Sequence, residues 1–166
     1  MKDGTIFRLA DDPDQTRRAA EALFRVVERD LRPDLPACAE LLHVGATAIP
    51  GCLTKGDLDV VVRVAAEGFA PAEAVLAARF ARNVGSVRTA DFAAFEGVGT
   101  VPALGVQLTV RDGRFDVFHR FACALRADPV LVIRYNALKV LHDGAPMDAY
   151  RAAKDSFIAQ VLGEEA

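Results

Sequence analysis

The sequence predicts an α/β protein with a mixed β-sheet flanked by helices and a helical C-terminal part. Residues 57–64, "DLDVVVRV", are almost wholly apolar and β-branched after the third position, which is typical of a central strand buried on both faces. An amphipathic segment, "APAEAVLAARFAR", follows, and residues 105–110 form a later strand, so that strand and helix alternate. The final third reads as two helices separated by "DGAP".

Composition sets the broad class. A chain of 166 residues is long enough for one compact core, so we expect residues 1–166 to fold as a single domain. The net charge of -3 gives no reason to expect broad binding to nucleic acid or to an anionic membrane. Cys38, Cys52 and Cys123 lack metal-type spacing and do not indicate a disulfide framework. With no signal-peptide pattern and no membrane-length apolar run, we expect a cytoplasmic protein.

The first half of the chain is predicted to contain a short edge strand at residues 5–9 and a long helix over residues 11–31. That helix begins with acids and a proline near its first turn, and two prolines in "RPDLP" end it. A strand is expected to end at residues 42–44. One face of the helix carries its apolar residues: Ala19, Leu23, Val26, Val27 and Leu31.

The segment "RDGRFDVF" supports two predictions. Its Asp-Gly pair between alternating apolar residues is a hairpin signal. The apolar residues also fit one face of a helix that would extend to "RADP". The sequence leaves both alternatives, a hairpin and a helix, open. The helical stripe comprises Phe115, Phe118, Phe121, Ala122 and Leu125.

Asp57 and Asp59 are the candidate metal ligands. Residues two apart on a strand project from the same face, so their carboxylates can share a cation. Mg²⁺ prefers such oxygen ligands and usually binds one or two protein carboxylates together with substrate phosphates. A two-metal site needs a third acid from a neighbouring element. The alternative is that both aspartates are solvated residues at the mouth of a strand.

A small-residue turn lies about ten positions upstream of these acids. Gly45, Ala46 and Thr47 lack bulk, which allows backbone N–H groups to approach a phosphate, and Thr47 adds a hydroxyl donor. Lys55 supplies a positive charge just before the acids. The turn and the acids together predict a phosphate-and-metal unit.

This glycine turn followed by Asp-x-Asp resembles the signature of the nucleotidyltransferase superfamily, and the resemblance implies a nucleotidyltransferase-like mixed sheet. "HVGATAIPGCLTK" is more narrowly similar to the corresponding segment of the GrpB family (UPF0157-like). "LRADP", "YNALK" and "YRAAK" match later GrpB motifs in the same order. The resemblance implies triphosphate or base contacts for Tyr135, Lys139, Tyr150 and Lys154; the alternative is surface lysines beside half-buried tyrosines.

Two of the departures from the family pattern lie in the predicted phosphate-and-metal unit. Relatives typically carry Ser at the position of Ala46, and many are apolar at the position of Asp57. The resemblance also implies a third catalytic acid on a later strand, which would be Asp116 if the hairpin forms. If a helix begins nearby instead, Asp116 is an acid favoured by the N-terminal end of the helix dipole.

The implied activity is Mg²⁺-dependent transfer of a nucleoside monophosphate from a nucleoside triphosphate to an unknown acceptor, with Asp57, Asp59 and Asp116 as metal ligands. An alternative is a non-catalytic nucleotide- or phosphate-binding module with a degenerate site. A third is an interaction protein that keeps only a vestige of that site.

Overall fold

Residues 4–163, described by a computed structural model, build a five-stranded mixed β-sheet. The strands, in chain order, are β1 (Glu40–Val44), β2 (Leu58–Val64), β3 (Ala81–Arg82), β4 (Phe92–Glu96) and β5 (Leu104–Val110). Their order in the sheet is β1-β2-β5-β4-β3. β2 and β5 are parallel, whereas the other neighbouring pairs are antiparallel. The predicted mixed sheet with a central strand at β2 is therefore confirmed.

Helices cover both faces of this sheet. They are α1 (Pro13–Leu31), α2 (Phe69–Arg79), α3 (Phe118–Ala127), α4 (Pro129–His142) and α5 (Met147–Leu162). α1 and α2 pack on one face in an apolar cluster with the even-numbered residues of β2. The three C-terminal helices pack on the other face, where Val61 contributes to a second cluster. The predicted helical C-terminal part is confirmed.

The alternation of β2 decides which side chains reach the C-terminal helices. Leu58, Val60, Val62 and Val64 face α1 and α2, so the odd-numbered residues Asp59, Val61 and Arg63 face the opposite side. Asp59 lies at the start of the strand and Arg63 near its end. The apolar side chain of Val61 lies between them.

Two predictions in the first half are corrected. Residues 5–9 do not join the sheet; Ile6 forms an antiparallel bridge with Pro146, in the connection between α4 and α5. In α1 the buried residues are Ala20, Val27 and Leu31, whereas Val26 is 41% exposed. The buried set follows the i, i+7, i+11 spacing of one helical stripe, which excludes Val26.

The hairpin prediction for "RDGRFDVF" is wrong, and the helical stripe is correct in its later part. Asp112 has a positive φ of 61°, and the Gly113 amide donates to Val110 O at 3.1 Å, which closes a tight turn. The chain then enters α3, in which Phe121 and Leu125 are buried. Asp116 consequently lies in the turn before α3. β3 and β4, in the glycine-rich middle, were not predicted.

Within residues 4–163, no helix is both long and apolar enough to cross a membrane.

Candidate functional site

The carboxyl group of Asp59 lies between Gly45, which directly follows β1, and Gly105 of β5. Val44 pairs with Asp59 across β1 and β2, so Gly45 leaves the sheet directly beside it. A Cβ atom on Gly45 would lie 2.4 Å from Asp59 Oδ2. On the other side Gly105 pairs with Asp59, and its Cβ would lie 3.2 Å from Oδ1. The missing side chains make the space that this carboxyl group occupies.

A small cavity of about 50 Å³ is present at this point of the sheet. Segments from four parts of the chain line it, and eight of the predicted site residues meet there. The predicted residues are Ala46, Lys55, Asp57, Asp59, Tyr135, Lys139, Tyr150 and Lys154; Phe7 and Thr54 complete the wall. The two Tyr-x-x-x-Lys motifs therefore line the same cavity as the paired aspartates.

The charges in this small cavity are partly matched. Lys55 Nζ lies 2.7 Å from Asp57 Oδ2. Burial is the main cause that raises the pKa of Asp59, although the positive charge of Lys154 opposes the rise. The neighbouring charge of Asp57 raises the pKa further. A cation between the two carboxylates would lower the pKa of Asp59, because its positive charge would offset both the burial of Asp59 and the charge of Asp57.

Lys139 is nearly fully buried in α4. Its Nζ donates to the Leu53 carbonyl oxygen at 2.5 Å and lies 3.9 Å from the centroid of the Tyr135 ring. Burial lowers the pKa of Lys139 to about 7. The lysine thus ties α4 to the loop before β2 and carries only part of a positive charge at neutral pH.

The two tyrosines form one buried pair. Their hydroxyl oxygens are 3.4 Å apart, and the Tyr150 ring stacks on Phe7 with centroids 3.8 Å apart. Burial raises the pKa of Tyr150 to about 12 and also raises the pKa of Tyr135 well above its ordinary value. Both groups are therefore neutral hydroxyls at physiological pH.

The Thr47 hydroxyl, predicted as a phosphate donor, forms hydrogen bonds within the protein. Thr47 is buried, and its Oγ1 donates to the Asp57 carbonyl oxygen at 2.9 Å. The same oxygen lies 2.9 Å from His43 Nε2. Its hydroxyl is thus engaged within the protein, where it links the glycine turn to the start of β2.

Asp116, predicted as the third metal ligand, lies against Arg63. Its carboxylate accepts two hydrogen bonds from Arg63, with Nε–Oδ1 at 2.7 Å and Nη2–Oδ2 at 2.6 Å. The Asp112 amide donates to it at 2.8 Å. Burial opposes its ionisation, but the bonds from Arg63 and Asp112 outweigh burial and lower the pKa of Asp116. This carboxylate is satisfied at the other end of β2 from Asp59.

Asp57 and Asp59 are the two carboxylates that would hold a hard cation in the small cavity. Asp57 and Asp59 line one cavity, and Mg²⁺ commonly takes two protein carboxylates and completes its shell with phosphate oxygens and water. No group of three or more His, Cys, Asp or Glu side chains suited to a metal occurs in the described part of the chain. A two-metal arrangement would need that further ligand.

Asn136 is a structural residue of the site that the sequence did not identify. Its Nδ2 donates to Gly51 O at 2.9 Å, and its Oδ1 accepts from the Leu53 amide at 2.8 Å. With Lys139 one turn later, it fastens the loop between the glycine turn and β2 to α4. A polar residue within an amphipathic helix gives no signal of such a distant partner.

A second, larger cavity of about 330 Å³ adjoins the first. The two cavities share Asp59, Tyr135 and Lys154 as wall residues. Most of the larger wall is apolar and comes from α3, α5 and β1, while Gln107 of β5 adds an amide. Sequence patterning did not mark Gln107 as a site residue.

Comparison with known proteins finds relatives along nearly the whole chain. The sequence profile of the family described as GrpB protein matches residues 13–164. A UPF0157 protein of Vibrio cholerae is 32% identical over 152 residues, which are 91% of this chain and 80% of that protein. The crystal structure of the conserved protein GrpB from Enterococcus faecalis is similar with a TM-score of 0.67 and 20% identity, over 87% of this chain and 91% of that one. The Cid1 poly(U) polymerase bound to MgATP gives a TM-score of 0.46 and 15% identity, over 79% of this chain and 41% of that one.

Proposed function

The chain belongs to the GrpB family, and we propose that it binds a nucleoside triphosphate with Mg²⁺ and transfers the nucleoside monophosphate to an acceptor. One observation carries this proposal. Two carboxylates and three lysines converge on one small cavity beside a glycine turn, although they come from separate parts of the chain. Acids beside lysines suit a ligand that brings a metal ion and several phosphates together.

Each residue has a chemical task in this proposal. Asp57 and Asp59 would hold Mg²⁺, which supplies neutralising charge to the phosphates when it is bound. Lys55 and Lys154 would contact phosphate oxygens, and the backbone of Gly45 and Ala46 would allow a phosphate to approach closely.

The other predicted contacts keep different tasks. The backbone amide of Thr47 stays in the proposed phosphate turn, whereas its hydroxyl bonds to the Asp57 carbonyl oxygen. Lys139 would act mainly by fixing the loop that carries Lys55, because its Nζ bonds to Leu53. Tyr135 and Tyr150 would contact the ligand through their uncharged rings and form hydrogen bonds through their hydroxyl groups.

A second candidate function is nucleotide or phosphate binding without transfer. The bidentate pairing of Asp116 with Arg63 favours it, because the third acid of a two-metal mechanism is engaged elsewhere. In this case the same cavity would bind Mg²⁺ and phosphates, but no bond would break.

Thermal melting with Mg²⁺ and tripolyphosphate tests the binding step that both candidates share. A ligand that binds only the folded state raises the melting temperature by mass action. We expect a rise for the wild-type protein that needs Mg²⁺ and is lost in Asp59→Asn. Asp148→Asn, an exposed acid on α5, is the matched control and should keep the rise. If Asp59→Asn keeps the Mg²⁺-dependent rise, Asp59 is not a metal ligand and the proposal fails.

Pyrophosphate release separates the two candidates. Each nucleoside triphosphate would be incubated with Mg²⁺ and a panel of RNA, protein and small hydroxylated acceptors. Release that disappears in Asp59→Asn supports transfer. Binding without release from any nucleotide supports the non-catalytic candidate.

A further inference from the structure

The larger cavity has the chemistry of a second compartment for the same ligand. It lies next to the small cavity, because Asp59, Tyr135 and Lys154 line both. The small cavity is rich in lysines and acids, whereas the larger one is walled mainly by apolar side chains. A ligand that spans the two must be anionic at one end and apolar at the other.

The wall of the larger cavity favours a planar apolar group. Phe118 and Phe121 of α3 and Tyr135 of α4 contribute aromatic rings, and Ile158 of α5 adds a branched aliphatic side chain. Aromatic rings pack well against flat ring systems in offset or edge-on geometry. A volume of about 330 Å³ is in the range of small-ligand sites.

Gln107 contributes an amide group to the wall of the larger cavity. Its Oε1 is buried and has no hydrogen-bond partner among residues 4–163. β2 and β5 are parallel, with Asp59 opposite Gly105 and Val61 opposite Gln107, so Gln107 lies two residues along the sheet from the metal-ligand position. A buried amide oxygen without a partner carries a desolvation cost that a bound ligand can repay.

We propose that the larger cavity binds the nucleobase of the nucleotide and that Gln107 is the residue that discriminates between bases. An amide offers both donors and an acceptor, which can match the edge of one base and leave another base unpaired. This inference rests on the proposed function, because the phosphates of the same nucleotide would lie in the small cavity.

Binding measurements with Mg²⁺ and five probes test the inference: tripolyphosphate and the triphosphates of adenosine, guanosine, cytidine and uridine. For the wild-type protein we expect at least one nucleotide to bind more tightly than tripolyphosphate, and the four bases to differ by roughly tenfold or more. In Gln107→Leu the difference between bases should shrink to about twofold, while tripolyphosphate affinity stays unchanged. Gln160→Leu, an exposed glutamine on α5, is the control and should retain the discrimination.

The outcomes separate the inference from the proposed function. If tripolyphosphate binds with Mg²⁺ but no nucleotide binds more tightly, the base compartment is wrong and the phosphate site stands. If bases are discriminated equally well in Gln107→Leu, the role of Gln107 is wrong. If tripolyphosphate does not bind at all, the proposed function fails and the inference fails with it. A melting temperature for Gln107→Leu close to that of the wild type shows that the variant is folded.

Discussion

The Cβ position of Gly45 and the carboxylate of Asp59 cannot both be occupied. A methyl group on Gly45 would lie 2.4 Å from Asp59 Oδ2, which is far inside van der Waals contact. The pairing of Val44 with Asp59 fixes this proximity, because it places the last residue of β1 opposite the second residue of β2. The glycine turn and the acid are therefore one structural unit in which a change at one position displaces the other.

Gly45→Ala should abolish Mg²⁺-dependent binding of tripolyphosphate. The new Cβ would push the Asp59 carboxylate away, and the positive φ of 76° adds a backbone cost of about 1–2 kcal/mol. Gly99→Ala is the matched control, because Gly99 has a φ of 70° but nothing within 4 Å of its Cβ position. We expect Gly99→Ala to lose stability and keep binding. Tripolyphosphate titrations of both variants check this, and wild-type affinity in Gly45→Ala would contradict it.

Asp116→Asn should lower the free energy of unfolding without changing tripolyphosphate binding. The substitution removes the buried carboxylate that pairs with Arg63 and leaves the half-exposed Glu40 as its remaining charged partner, and breaking such a buried pair costs about 3 kcal/mol. Urea denaturation measures the loss. Asp112→Asn, an exposed acid in the same turn, should be nearly neutral. Loss of binding in folded Asp116→Asn would restore a ligand role for Asp116.

The ligand-free protein should become more stable as the pH rises from about 7 to 8.5. The pKa of Lys139 is lowered to about 7 by burial, so in this range the unfolded chain holds a proton that the folded chain has lost. The expected gain is on the order of 1–2 kcal/mol. Lys139→Met should lose this gain, whereas Lys55→Met should retain it. Urea denaturation at three pH values in the range decides the matter; an equal gain in Lys139→Met would contradict the assignment.

Asn136→Ala should loosen the loop between the glycine turn and β2. The change removes the partners of Gly51 O and the Leu53 amide, and each lost partner costs about 1 kcal/mol or more. Asn136→Asp keeps the acceptor for Leu53 and should be less damaging. Amide hydrogen exchange at Leu53 is the direct readout. Unchanged protection at that amide in Asn136→Ala would show that the clamp contributes little.

The parts that could be predicted from sequence are those with strong local patterns. The apolar run of β2 and the periodicity of α1 predicted their elements. The hairpin failed because an Asp-Gly pair suits any tight turn, and only the packing of Phe121 and Leu125 selects the helix. Hydrogen bonds between residues far apart in the sequence cannot be predicted from local patterns. Arg63 reaches Asp116 across 53 positions, and Asn136 reaches Leu53 across 83.

The segment from Thr5 to Ala10 is a wall of the site that lies outside the family match at residues 13–164. Phe7 exchanges backbone hydrogen bonds with Ala145 and Gly144, and the Ala10 amide donates to Thr54 O at 2.8 Å. The Phe7 ring covers Tyr150 and lines the small cavity. A fragment that begins at residue 13 would therefore keep every acid and lysine of the site but would lose Phe7 from the wall of the small cavity. Fragments for crystallography or for binding assays need to begin before residue 5.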